Sequence, residues 1–226
     1  MRILAVDTTT GSGSAAVLED GRVRAEIGVD SFGTHSARLL ASIEVLFGAL
    51  PWTIRDLDGY AVTPGPGSFT GIRIGLSTIQ ALAFASGKPI APVSSLKAAA
   101  WKLRGDGVPL VCPLNDAKKG EIYAALYAFA GKAMKNIVPE GAYAPERFLS
   151  VLPKGRNLLF IGSGIPIVEP VLRARWKGKA RFSARTPFIA AEVGLLGARI
   201  LEAGKGVTPE ALEPLYLRRS QAEERR

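Results

Sequence analysis

The chain has 226 residues, 47% of them hydrophobic, and carries 29 Lys and Arg against 20 Asp and Glu. This suits one large or two small packed domains, and the absence of any apolar run of about 18 residues excludes a membrane-spanning helix. A single histidine and a single cysteine exclude an internal disulfide and leave almost no material for a catalytic zinc site or a nucleophile paired with histidine.

The opening MRILAVDTTT reads straight into a strand with no room for a signal peptide, so a cytoplasmic location is expected. Arg2–Asp7 is of strand length, the cluster from Asp7 to Ser14 is rich in turn formers, and Asp20-Gly21 is a strong hairpin signal before the alternating Val23, Ala25 and Ile27. Three antiparallel strands are expected. Two readings of the first turn stand: Asp7 and Thr8 wrap a phosphate or hold a metal or water, or Asp7 and the threonines satisfy their own backbone.

After a break at Ser31–Thr34, Leu39, Leu40, Ile43, Leu46 and Phe47 recur at helical spacing up to Gly48. His35 stands at the start of that helix, where capping or a surface role is the ordinary use. Gly59–Thr63 is then a short strand, and Thr63-Pro-Gly-Pro-Gly-Ser-Phe-Thr-Gly-Ile-Arg-Ile-Gly75 is a tight turn running into a helix that Ser68 or Thr70 can cap. Such a turn offers an anion backbone N–H groups at a helix N-terminus, or it is a stiff, close-packed corner. The helix is apolar on nearly every side, through Ile72, Ile74, Leu76, Ile79, Leu82 and Phe84, so it is a core helix or half of an interface. Gly71 and Gly75 notch one flank for a close neighbour. A strand at Lys88–Val93 and a helix at Ser94–Trp101 follow.

Gly105–Pro109 marks a plausible boundary, giving domains 1–105 and 106–226. Beyond it the pattern of a strand ending in an acid, a turn and two more strands returns in Leu110–Asp116, Ile122–Phe129 and a third strand from Ala133, joined to the second at Gly131-Lys132. Duplication of one α/β unit is the economical reading. Cys112, in an apolar run, is expected to be a buried, inert thiol. Pro145–Leu152 suits a short helix. Leu158–Gly164 is a strand entering a glycine turn, where Gly162 and Gly164 are candidates for a nucleotide edge. Ala190–Ala203 is a last apolar helix, and Ser220–Arg226 a charged tail. The net charge is uneven: residues 1–105 hold 10 basic against 8 acidic residues, and residues 106–226 hold 19 against 12. The stretch from Lys154 to Arg185 carries most of the excess, as a solvated face or a basic surface. Read on its own chemistry, the chain is a phosphoryl-transfer scaffold with Asp7 and Asp116 as its acids. An ATP-dependent small-molecule kinase of the acetate or sugar kinase type is therefore one functional alternative.

Taken together, MRILAVDTTT, GPGSFTGIRIG, NDAKKGEIYAALY and the terminal PLYLR resemble the TsaB (YeaZ) family of tRNA threonylcarbamoyladenosine biosynthesis. The resemblance implies a two-lobed α/β fold, a duplicated ribonuclease H-like, actin-like ATPase fold shared by sugar kinases, Hsp70 and actin. It implies a non-catalytic subunit without cofactor, working with the paralogue TsaD, which holds the active site, and with the ATPase TsaE. A homodimer in isolation and only indirect or weak contact with tRNA fit this picture. TsaD-like proteins bind metal through a His-x-x-x-His pair, and Ser95 and Ala99 stand at those places here, so no metal is expected. The family dimerises through helices of the first lobe, and His35, Leu39, Ile43, Gly71, Ile72, Gly75, Leu76 and Ile79 are the interface residues this implies.

Overall fold

A computed structural model describes residues 1–30, 35–131 and 133–218, and the side chains of all of these except 35–37. The motif βββαβαβα occurs twice. In the first copy it is β1 (Arg2–Asp7), β2 (Ser12–Glu19), β3 (Arg22–Asp30), α1 (His35–Gly48), β4 (Gly59–Val62), α2 (Phe69–Ser86), β5 (Ile90–Pro92) and α3 (Ser95–Lys102). In the second it is β6 (Leu110–Lys118), β7 (Glu121–Ala130), β8 (Ala133–Tyr143), α4 (Pro145–Val151), β9 (Leu158–Ile161), α5 (Ile165–Trp176), β10 (Ala180–Phe182) and α6 (Ala190–Glu202). The sheet orders, β3-β2-β1-β4-β5 and β8-β7-β6-β9-β10, correspond strand for strand. The duplication suggested by the two strand-and-acid openings is thus present in the topology.

The strand sequences explain their places. β1 and β4 are central, covered on both faces, and buried almost throughout, so they read as unbroken apolar runs. At the edge, β3 alternates between exposed and half-buried residues. The β2–β3 turn places both Asp20 (φ 50°) and Gly21 (φ 70°) in the left-handed region, as the two-residue hairpin signalled. The first core gathers Leu4, Val6, Tyr60, Val62, Ile72 and Ile79, and the second Cys112, Leu126, Phe148, Phe160 and Leu172.

Contacts divide the chain into Met1–Ala98 with Phe188–Tyr216, and Ala99–Pro187 with Leu217–Arg226. This differs from the division at residue 105, because α6 is not retained by the repeat that contains it in sequence. Its first amides are held by the first sheet: the N–H groups of Ile189 and Ala190 donate to Ser14 Oγ at 3.3 and 3.1 Å, and that of Ala191 to Glu26 Oε1 at 3.1 Å. These groups satisfy donors that a helix start leaves without an intrahelical partner. The glycines of α6 then let it lie close on that sheet, since a Cβ at Gly197 would stand 2.5 Å from that of Ala61. Reciprocally, the end of α3 serves the second unit, where Trp101 packs on Phe129 with ring centroids 6.2 Å apart.

A segment beyond α6 straps the first unit. Val207 pairs with Ile90, Gln80 Nε2 donates to the carbonyls of Pro209 and Leu212, and the Leu215 N–H donates to Pro64 at 2.8 Å. Tyr216 stacks on Phe69 at 4.8 Å. The terminal PLYLR motif thereby acquires a structural meaning, with Arg218 continuing to the Ala117 carbonyl and Glu121 of the second unit.

Cys112 is fully buried in β6, and burial pushes its thiol well up. It is expected to resist iodoacetamide in native buffer and to react only once the second unit unfolds, as read by mass of the intact chain.

Candidate functional site

The turn between β4 and α2 is built against the end of β1. Asp7 is 1% exposed, and its Oδ1 accepts from the Thr9 N–H at 3.1 Å, Thr9 Oγ1 at 2.7 Å and Thr63 Oγ1 at 2.6 Å. Thr8 Oγ1 donates to the Gly71 carbonyl at 2.6 Å, and the Ser68 N–H to the Thr9 carbonyl at 2.7 Å. Ser68 caps α2 by accepting from the Gly71 N–H at 3.3 Å, and the Ile72 N–H is taken by the Ser68 carbonyl. The amides of Ser68, Gly71 and Ile72 are therefore committed within the chain. Ser95, at one of the two expected histidine positions, fastens the far side of the turn: its Oγ donates to the Pro66 carbonyl at 2.6 Å and its N–H to Gly65 at 2.9 Å. Ala99, at the other, is buried. Asp7 and Thr8 thus act as fasteners of the turn, locally through Thr9 and across the chain through Thr63 and Gly71.

The equivalent turn of the second unit behaves alike. Gly162 has φ 120°, and a Cβ there would collide with the Leu114 carbonyl, to which the Gly164 N–H donates at 3.1 Å. Ser163 Oγ accepts from the Asp116 N–H at 3.2 Å. Asp116, the counterpart of Asp7, differs in environment. Burial alone would raise its carboxyl, but the Lys118 ammonium and amide outweigh that and hold it below the ordinary range.

The interface residues implied by the resemblance lie elsewhere than on a free surface. Leu39, Ile43, Gly71, Ile72, Gly75, Leu76 and Ile79 are all buried in the first unit; the side chain of His35 is outside the described residues. The notch made by Gly71 and Gly75 is filled by Thr8, whose Oγ1 would be 2.5 Å from a Cβ at Gly75 and whose carbonyl would overlap one at Gly71. Within this chain that flank is taken up by Thr8, the residue that follows β1.

What remains outside is still apolar. α1 exposes Leu40 (55%) and Val45 (62%), and α2 exposes Phe84 (75%) beside Ala81 and Ala85, with Ile74 and Leu82 half-buried. Along all 18 residues of α2 the only charge is Arg73. Surface helices normally put charge on the face away from the core, and contiguous exposed apolar side chains mark association sites. Sequence periodicity had signalled this, through a helix apolar on every side, without telling inner from outer.

Residues 31–224 match the family described as "TsaD: tRNA N6-adenosine threonylcarbamoyltransferase". The chain is 31% identical over 229 residues to the tRNA threonylcarbamoyladenosine biosynthesis protein TsaB of Bacillus subtilis, covering 99% of this chain and 96% of the relative. It is similar in structure to YeaZ from Pseudomonas aeruginosa, with a TM-score of 0.83 and 30% identity over 96% of this chain and 99% of that one. A more distant likeness, at 11% identity and a TM-score of 0.52 over 91% of this chain and 97% of that one, is to the activator of the 2-hydroxyisocaproyl-CoA dehydratase from Clostridium difficile with bound ADPNP. It bears on the fold alone.

Proposed function

Because the chain belongs to the TsaB (YeaZ) family of tRNA threonylcarbamoyladenosine biosynthesis proteins, we propose that it is a non-catalytic subunit of the transferase, docking a TsaD paralogue through the outer face of α1 and α2. In this reading TsaD carries out threonylcarbamoyl transfer to adenosine in tRNA, TsaE is the further ATPase component, and the assembly works in the cytoplasm. The observation that carries it is the set of exposed apolar side chains on these two helices, Leu40 and Val45 on α1 and Ala81 and Phe84 on α2. Two further features support it: Asp7 is occupied as a structural acceptor, and Ser95 and Ala99 stand where TsaD-like proteins are expected to carry metal-binding histidines. Without TsaD, the same face would pair two copies of this chain.

Burial of one large apolar side chain contributes about 1.5–3 kcal/mol. A charge forced into that contact adds a desolvation penalty of several kcal/mol if it finds no partner. Ala81→Arg with Phe84→Asp is therefore expected to weaken TsaD binding by about 100-fold or more, equivalent to about 2.7 kcal/mol. The fold should be unaffected, since both side chains point to solvent. Analytical ultracentrifugation and modification of a tRNA transcript by TsaD and TsaE measure the two consequences. Undiminished association of the variant, or full modification with this chain omitted, would reject the reading.

A further inference from the structure

The positive charge concentrated in the second half converges on one corner of the second unit. β9 and β10 are parallel with Ala180 opposite Leu158, so the loops entering them, 153–157 and 177–179, lie side by side. Lys179 joins them, its Nζ donating to the Gly155 carbonyl at 3.0 Å and its own carbonyl accepting from Leu158 at 2.8 Å. α5 ends into the same corner at Trp176. Lys154, Arg156, Arg175 and Lys177 are all exposed there, and among the described residues none of their side chains has a hydrogen bond or ion pair. The one acid between residues 147 and 191, Glu169, is taken by Arg173 at 2.5 Å.

A helix C-terminus favours a cation or two in its last turn. That accounts for Arg173 and Arg175, but not for Lys154 and Arg156, which arrive on a separate loop. Cations gathered without counter-charge repel one another, so the corner is electrostatically suited to an external anion. Its composition narrows the class. No large apolar side chain is exposed in 153–157 or 173–181, so the corner lacks both the apolar centre of a protein interface and the inserting residues of a membrane-bound surface. With no exposed aromatic ring to stack on bases, it is suited to the phosphate backbone of RNA rather than to its sequence.

We propose that Lys154, Arg156, Arg175 and Lys177 form a backbone contact for the tRNA substrate, a sequence-neutral surface that helps hold the RNA while the partner subunit acts. Calling the RNA a tRNA rests on the functional reading above, whereas the phosphate chemistry does not. Each neutralised phosphate contributes about 0.7–0.9 to the slope of log affinity against log salt. The full chain is to be titrated with a fluorescent unmodified tRNA transcript over a range of salt. Compared with it are a variant with Lys154→Gln, Arg156→Gln, Arg175→Gln and Lys177→Gln, and a control of equal net charge with Arg22→Gln, Arg55→Gln, Lys97→Gln and Lys205→Gln, all exposed in the first unit. The corner variant is expected to bind at least tenfold more weakly, with a slope flatter by about 3, and the control to retain most of both. Equal losses in the two variants would reduce the effect to net charge and overturn the proposal. An unchanged slope would do the same, as would tighter binding to phosphatidylserine vesicles than to tRNA. TsaD association, measured in parallel, is expected to survive in the corner variant. If the unaltered chain fails to bind TsaD, the functional reading falls while the RNA titration still decides this proposal.

Discussion

Asp7→Ala is expected to lower the melting midpoint of the first unit by about 10 °C. The carboxylate is almost fully buried and accepts from two hydroxyls and an amide, those of Thr9 and Thr63. Each buried donor left without a partner costs about 1–3 kcal/mol, so a total of about 3–5 kcal/mol follows after some relaxation. A domain of this size shifts by about 2–4 °C per kcal/mol. Trp52 fluorescence reports the transition, since the other tryptophans, Trp101 and Trp176, belong to the second unit. Asp7→Asn keeps an oxygen acceptor at the same place and should lose roughly half as much. The outcome separates two roles for this acid. A carboxylate held for phosphoryl transfer is commonly strained by its site, and its removal leaves stability unchanged or improved. An Asp7→Ala variant as stable as the parent would return the kinase reading to consideration.

Much of the architecture could be read from short-range pattern. Short apolar runs marked β1 and β4 as strands, Asp20-Gly21 marked a hairpin turn, and the second strand ending in an acid marked a repeat. What escaped were relations fixed by distant partners. Nothing in the sequence of α6 says that its N-terminus will be capped by Ser14 and Glu26, which precede it by more than 160 residues. The boundary expected near Gly105 groups α6 with the second half of the chain, whereas its contacts group it with Met1–Ala98. The candidate site shows the same division. Sequence identified α2 as apolar all round and notched by glycine, both properties of the helix alone. Which face met the core depended on the segment after β1, where Thr8 took the notch, leaving Phe84 and Ala81 outside. The hydroxyls of Thr8 and Thr63 were visible as turn formers, but their acceptors on α2 and β1 were not, because a hydrogen bond spanning about 60 residues leaves no local period to detect.

Gly71→Ala is the variant that tests this placement most directly, and the sign of its effect is decided by opposing terms. Alanine is favoured over glycine by about 1 kcal/mol in a helix interior, and by less at Gly71, which lies in the first turn of α2. Against that, the new methyl would overlap the Thr8 carbonyl, which is backbone just past the central strand β1 and has little room to yield. Overpacking of this kind costs about 1–3 kcal/mol, and moving Thr8 also weakens its 2.6 Å hydrogen bond to the Gly71 carbonyl, worth about 1 kcal/mol. Net destabilisation of about 2 kcal/mol is expected, visible as a lower denaturant midpoint, with TsaD affinity of the folded fraction unchanged. Gly75→Arg would be harsher, because a whole side chain must enter where Thr8 Oγ1 now sits. It therefore reports folding and cannot serve as an interface test. Ala81→Arg, on the exposed face of the same helix, should give the converse, with stability held within about 0.5 kcal/mol and partner binding lost. If Gly71→Ala instead kept its stability and lost the partner, the glycine flank would belong to the interface and the outer face would have to be given up.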